Sequence, residues 1–287
     1  MAAPVDARAD WDLPAVPGAD FAPRWDLELT GSRAALLQEF AEWVRSEGLP
    51  ETPDPDLVKF VHSCEYDLEK AKKCAKDFYW SRDAVPELFS GWDATLPHFQ
   101  SVFDTVTYAI MPRRTPDNFR VIFNSLKTSD TTNYVIVDIT KVTLMVVESI
   151  FLTEPTVSGI VIIQDLEKAT FSHFVKYVWS LPRKIQVYFE DGVPLKREKV
   201  HLINCPGIVD KGLKFMGRMI RKEDRDRMQS YSGDDYSELY KFVPKDCLPS
   251  DVGGNLPPLE ELHELTVQRL IDFKEVFQKH SPGVKTE

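Results

Sequence analysis

This sequence has no basic excess, no paired cysteines and no long apolar runs, and each absence closes a class of function. Acids outnumber bases 45 to 35, for a net charge of −10. A chain built to grip phosphate backbones carries the opposite surplus, so nucleic acid is not an expected partner. The four cysteines, Cys64, Cys74, Cys205 and Cys247, are scattered with no CxxC pair. That spacing suggests free thiols in a reducing compartment rather than a zinc knuckle or a disulfide framework. No Asn-x-Ser/Thr sequon occurs. The densest apolar runs, Gly159–Ile163 and Val142–Val147, are far shorter than the ~20 residues of a membrane-spanning helix. Met1–Asp10 carries acids and no apolar stretch, so no secretory leader is expected. These absences lead to the expectation of a cytoplasmic, globular monomer.

Catalytic signatures are also missing. No Gly-x-Ser-x-Gly elbow and no His-Glu-x-x-His pair occurs, and His263-Glu264 lacks its second histidine. The stretch from Gly207 to Lys214 follows a strand, as a phosphate loop would. Yet Leu213 stands where the loop needs its lysine, and no hydroxyl follows to bind magnesium. His173 and His201 read as structural, hydrogen-bonded histidines. No enzyme activity, no cofactor and no metal is expected.

What is present falls into three parts. Residues 1–30 hold four prolines, six acids and two arginines and read as a mobile acidic tail, with Trp11, Phe21 and Trp25 able to fold back. Residues 31–100 read as a small helical bundle. Leu36, Leu37, Phe40, Trp43 and Val44 mark a first amphipathic helix, and Leu57, Phe60 and Val61 a second. A third follows the N-cap candidate Asp67. Residues 101–287 change texture. Phe119–Phe123, Gly159–Ile163 and Val200–Asn204 are short apolar runs of buried-strand type, and a helical stretch, 168–190, lies between the last two. That order predicts a mostly parallel sheet flanked by helices, an α/β fold. Tyr134–Leu152 is rich in β-branched residues, yet Val135, Ile139, Val142, Val146 and Ile150 keep a helical period, so helix is predicted.

Three motifs in order resemble the CRAL-TRIO family, nearest its tocopherol- and retinaldehyde-binding branch. The first runs from Asp56-Leu57-Val58-Lys59-Phe60 to Tyr66-Asp67-Leu68-Glu69-Lys70-Ala71, with His62-Ser63-Cys64 replacing the family's basic turn. The second runs from Gly159 through Asp165-Leu166-Glu167, Phe171-Ser172-His173 and Pro194-Leu195-Lys196 to His201-Leu202-Ile203-Asn204-Cys205-Pro206. The third is Leu248-Pro249-Ser250-Asp251-Val252-Gly253-Gly254. The resemblance implies an N-terminal helical domain, then a mixed sheet whose helices enclose a lipid-sized cavity under a movable gate. It implies a soluble carrier that binds one hydrophobic lipid, tocopherol-, retinoid- or carotenoid-like, and transfers it between membranes. The alternative is a phosphoinositide-sensing or protein-docking regulatory module with no working carrier cavity.

On that resemblance the cavity walls are expected from Ile139, Val142 and Val146, from Ile160 and Gln164, and from Leu195 and Val200. Tyr177, Leu181, Ile185, Tyr188 and Phe189 add a stripe at helical spacing. Gln164 is read as a buried amide that either orients a ligand oxygen or bonds backbone. The gate is expected over 207–221, with Ile208 and Met216 facing the ligand and Pro206-Gly207 as hinge. Membrane contact is expected to be transient, with phosphoinositide a candidate partner. Lys196, Lys199, Arg221, Lys222, Arg225 and Arg227 are the basic residues assigned to it. The 214–227 stretch carries six bases against three acids.

Overall fold

A computed structural model describes residues 11–16, 30–50, 52, 54–154, 157–180, 184–207, 211, 221–231, 233 and 235–280. The helical unit comes first, as α1 (Ser32–Ser46), α2 (Asp54–Ser63), α3 (Leu68–Ala84) and α4 (Pro97–Thr105). Asp67 caps α3, its carboxylate accepting the Lys70 N–H at 3.1 Å. Pro97 starts α4, where a missing N–H costs nothing. The unit does not stand apart from the sheet. Phe78 of α3 packs against Phe151 and Tyr188, and a buried Arg82–Glu148 pair at 2.6 Å ties the two parts together.

The sheet contains β1 (Val106–Ile110), β2 (Phe119–Leu126), β3 (Gly159–Asp165), β4 (Arg197–Ile203) and β5 (Met228–Ser230), in that spatial order. β1 runs antiparallel to β2, and the remaining pairs are parallel. A sequential order with right-handed crossovers puts the β2–β3 and β3–β4 crossovers on one face. The first crossover is α5 (Ile136–Thr153); the second holds α6 (Phe171–Ser180) and α7 (Lys184–Val187). The third runs from 204 to 227 and includes α8 (Lys222–Asp226). β1 and β5 were not anticipated, because five and three residues are too few to show a period. The helical stretch predicted over 168–190 divides into α6, α7 and a π turn at Tyr188–Gly192. Pro182, between α6 and α7, cannot donate an intrahelical bond. α5 is helical despite its β-branched residues. It is wedged between sheet and helical unit and is apolar around most of its circumference, so burial decides over propensity.

Strand alternation sends side chains to two faces. The back face holds Ala109, Val121, Phe123, Val161, Ile163 and Ile203, covered by residues 239–262. Gly254 belongs to that cover, and a Cβ there would lie 2.0 Å from the Leu248 carbonyl oxygen, so the turn requires glycine. α9 (Leu259–Asp272) closes the free edge of β1: His263 Nδ1 and Thr266 Oγ1 accept the N–H groups of Tyr108 and Ile110. α10 (Lys274–His280) follows.

Within the predicted tail, residues 11–16 lie against the body. Trp11 packs on the back-face cluster, and Leu13 and Val16 on the helix-side core. Asp12 pairs with Arg114 and Arg120 at 2.8 Å each. Burial opposes its ionisation, but the two arginines outweigh that and hold its carboxyl below the usual range.

Candidate functional site

The helix-side face of the sheet has two unlike parts. Where α5 covers it, Ile110, Ile122 and Ile160 are buried. Farther along the same rows the cover thins. Ile162, Val200 and Met228 are register neighbours of Ile122 across β3, β4 and β5, and all three are half-buried. Gln164, beside Asn124 and Leu202, is exposed. The expectation of a buried amide at Gln164 is therefore corrected: among the described residues nothing covers it.

The expected wall residues divide accordingly. Val142, Val146, Ile160, Ile185 and Tyr188 are fully covered by protein, and Ile139 and Leu195 nearly so. Phe189 and Val200 are half-buried. Tyr177 is 41% exposed, yet desolvation raises its pKa. Leu181, Ile208 and Met216 lie outside the described residues, as does most of the expected gate.

Two openings are found among the described residues. Leu195 and Lys196 border a crevice of only about 10 Å³ beside Lys59 and Phe151. The larger is an open cleft of about 510 Å³ at the carboxyl ends of β2, β3 and β4, and none of the expected wall residues borders it. There Asn204, at φ 51°, donates from Nδ2 to Asp165 Oδ1 at 3.1 Å and accepts the Tyr236 hydroxyl at 3.1 Å. This network fixes the turn that leads into Cys205-Pro206-Gly207. The His201-Leu202-Ile203-Asn204 motif carried its only sequence signal.

Of the basic residues assigned to membrane contact, Arg221 and Arg227 meet on one acid, Asp224, and Lys196 and Lys222 have acid partners of their own. Lys196 pairs with Glu65 at 2.9 Å and Glu198 at 3.0 Å, and the Glu65 hydrogen bond raises its pKa. Asp224, itself buried, takes Arg197 at 2.6 Å, Arg221 at 3.2 Å and Arg227 at 3.3 Å. Arg221 also grips Asp191 at 2.8 Å, and Lys222 pairs with Asp226 at 2.5 Å. Lys199 lies 5.6 Å from the Phe242 ring centroid. Arg225 sits in the last turn of α8.

Sequence reasoning passed over one constellation. Arg120, in the middle of an apolar strand, is wholly buried; its Nη2 donates to Glu154 at 2.6 Å and its Nη1 to the Met111 carbonyl at 2.9 Å. A charge inside a buried-strand run was the available signal. The histidines behave as structural groups: His201 Nδ1 meets the Tyr231 hydroxyl at 2.8 Å, and His173 Nδ1 meets Thr170 Oγ1 at 2.8 Å.

Known proteins supply the remaining observation. The CRAL/TRIO domain model matches residues 105–254, more than half of the chain, and the Pinta-like UBA domain model matches residues 31–99. An alpha-tocopherol transfer protein-like protein of Mus musculus is 24% identical over 208 residues, 72% of this chain and 60% of its own length. Clavesin-1 of Xenopus laevis is 21% identical over 214 residues, 74% of this chain and 64% of its own length. The chain thus spans less than two thirds of the length of these relatives. The crystal structure of Sfh5 shares the fold, with a TM-score of 0.55 over 88% of this chain and 98% of that one at 11% identity. With the domain match spanning the whole sheet, the chain belongs to the CRAL-TRIO family.

Proposed function

We propose that this protein is a carrier that holds one hydrophobic lipid against the helix-side face of β3–β5 and passes it between membranes. Tocopherol-, retinoid- and carotenoid-like molecules are the ligand candidates, and no chemistry is done on them. The observation that carries this reading is the incomplete cover of Ile162, Gln164, Val200 and Met228, in a sheet whose other apolar rows are sealed. Exposed apolar surface at the centre of a sheet is costly unless something occupies it. The expected gate, 207–221, belongs to the connection between β4 and β5, the strands that carry Val200 and Met228.

Membrane contact in this reading is brief and falls at the β4–β5 edge. Lys196, Lys199, Arg221, Lys222, Arg225 and Arg227 are the bases assigned to it, and the acids paired with Lys196, Arg221, Lys222 and Arg227 leave little free charge for a phosphoinositide. Reversing two charges, Lys222→Glu with Arg227→Glu, is expected to slow transfer to anionic liposomes and to blunt its salt dependence.

One observation favours a second reading, a docking module with no carrier cavity. Ile139, Val142 and Val146, expected as walls, are packed shut. Mass spectrometry of an organic extract of the purified native protein separates the two. A single lipid species near one per chain supports the carrier, and an extract free of lipid supports the docking module.

A further inference from the structure

The turn between α2 and α3 brings two thiols together. Glu65 and Tyr66 both take left-handed backbone, at φ 55° and 63°. That conformation is costly for residues with a Cβ and persists only where the fold imposes it. The Tyr66 N–H donates to the Val61 carbonyl at 2.8 Å and the Asp67 N–H to the Cys64 carbonyl at 3.0 Å, which closes the turn. α3 is thereby folded back along α2, and Cys64, just past the end of α2, meets Cys74 in the second turn of α3. The Cys74 thiol donates a hydrogen bond to the Cys64 sulfur. Both are free thiols, Cys74 buried at 4% exposure and Cys64 half-buried. Cys64 belongs to the His62-Ser63-Cys64 stretch that replaces the family's basic turn.

The two sulfurs differ in a way that suits stepwise chemistry. The Cys74 hydrogen bond favours the thiolate at Cys64 and, with the Ser63 hydroxyl donating at 4.0 Å, outweighs burial, so the Cys64 pKa is lowered. The same hydrogen bond, then burial, raises the pKa of Cys74, and Asp77 and Asp191 further oppose a charge there. The accessible sulfur is the better nucleophile, and the buried one keeps its proton beside it. Cys247 is the contrast: it is buried, donates to the Arg114 carbonyl at 3.3 Å, and burial pushes its pKa up to about 11. The pair also lies between two ion-pair ties. Glu65, next to Cys64, holds Lys196 at 2.9 Å, and Lys73, next to Cys74, shares Asp191 with Arg221.

We propose that Cys64 and Cys74 form a redox modification site, which a hydroperoxide oxidises to a disulfide. The Cys64 thiolate attacks the terminal peroxide oxygen and the O–O bond breaks. The leaving oxygen takes up the proton that Cys64 gave to solvent, and Cys64 becomes a sulfenic acid. The Cys74 sulfur then attacks the Cys64 sulfur, an S–S bond forms, and the sulfenic hydroxyl leaves as water with the Cys74 proton. The two thiols lose two electrons and the hydroperoxide gains them, ending as an alcohol, or as water when it is hydrogen peroxide. The new bond fastens α2 to α3 beside the residues that hold Lys196 and Arg221. It forms whether or not a lipid is carried.

The test uses the full chain, fully reduced and then exposed to a small excess of hydrogen peroxide at neutral pH. Peptide mapping without reductant is expected to show one linked peptide, Cys64 to Cys74, returned to two thiols by dithiothreitol. Cys64 is expected to react about tenfold or more faster than Cys205 and Cys247. In Cys74→Ser the sulfenic acid has no thiol to resolve it, so a dimedone adduct is expected at Cys64. In Cys64→Ser the attacking sulfur is gone, and oxidation of Cys74 is expected to slow about tenfold or more. Thermal melts show which variants fold, and the map of the unmodified chain decides alone if neither does. All thiols intact after the exposure, or oxidation that falls first on Cys205 or Cys247, overturns the proposal. So does a sulfenic acid that persists at Cys64 in the unmodified chain, or Cys74 oxidised at the parent rate in a folded Cys64→Ser protein.

Discussion

Ile122 and Val200 point to the same face of the same sheet, in the same cross-strand row, yet only Ile122 is sealed. α5 lies over Ile122 and closes it. Val200 keeps a half-covered surface beside Ile162 and Met228. The difference separates two duties. The sealed part converts apolar burial into stability, and in the proposed carrier the open part gives up some of that stability to leave room for a ligand. A family fold can thus keep its scaffold while the open end changes to suit another lipid.

The comparison is most easily broken at the Arg120–Glu154 pair under α5. Glu154→Ala leaves the buried Arg120 guanidinium with Asp12 as its remaining carboxylate partner and is expected to cost about 3 kcal/mol in urea unfolding. A loss near zero would mean that this region does not carry the stability assigned to it. Within the row itself, Ile122→Ala is expected to cost about 2–4 kcal/mol, while Val200→Ala costs under about 1 kcal/mol. Equal losses would erase the distinction between sealed and open.

The back face offers a pH test. His201 is wholly buried, and desolvation, then Lys199, lowers its pKa to about 4 from 6.5. The unfolded chain therefore takes up the proton first as pH falls. Stability contributed by neutral His201 is complete above pH 6.5 and is lost as pH drops toward 4, by about 2–3 kcal/mol. His201→Gln should remove that slope. A profile unchanged by this substitution would show that the ring is already protonated or exposed. The smallest effect belongs to Gln164. Gln164→Leu should leave stability unaltered and, if the amide touches the ligand, weaken rebinding of the extracted lipid by about 0.5–1.5 kcal/mol.

Sequence period alone placed α5 correctly, because Val135, Ile139, Val142, Val146 and Ile150 repeat at helical spacing even though β-branched residues argue for strand. The strands of the parallel core were legible for the same reason: a buried strand is a short, uninterrupted apolar run. The walls were less legible. Periodicity shows which residues face inward, but it cannot distinguish inward against protein from inward against a ligand. Val146 and Val200 look alike in sequence, and the structure buries one and leaves the other half-covered. The pairing within the basic stretch 214–227 was not legible either: net charge counts residues, whereas Asp224 of the same stretch holds Arg221 and Arg227, and Asp191 reaches Arg221 from another element.

The central claim is that the open part of the face, and not the sealed part, holds the lipid. An arginine at Val146, 1% exposed, would test folding more than binding. The more direct measurement is the amount of lipid that co-purifies with Val200→Arg, quantified by mass spectrometry against the unmodified chain, with the melting temperature recorded for both. The predicted result is loss of the bound lipid with a melting temperature within a few degrees of the parent. Lipid retained at the parent stoichiometry in a folded Val200→Arg protein would contradict the claim.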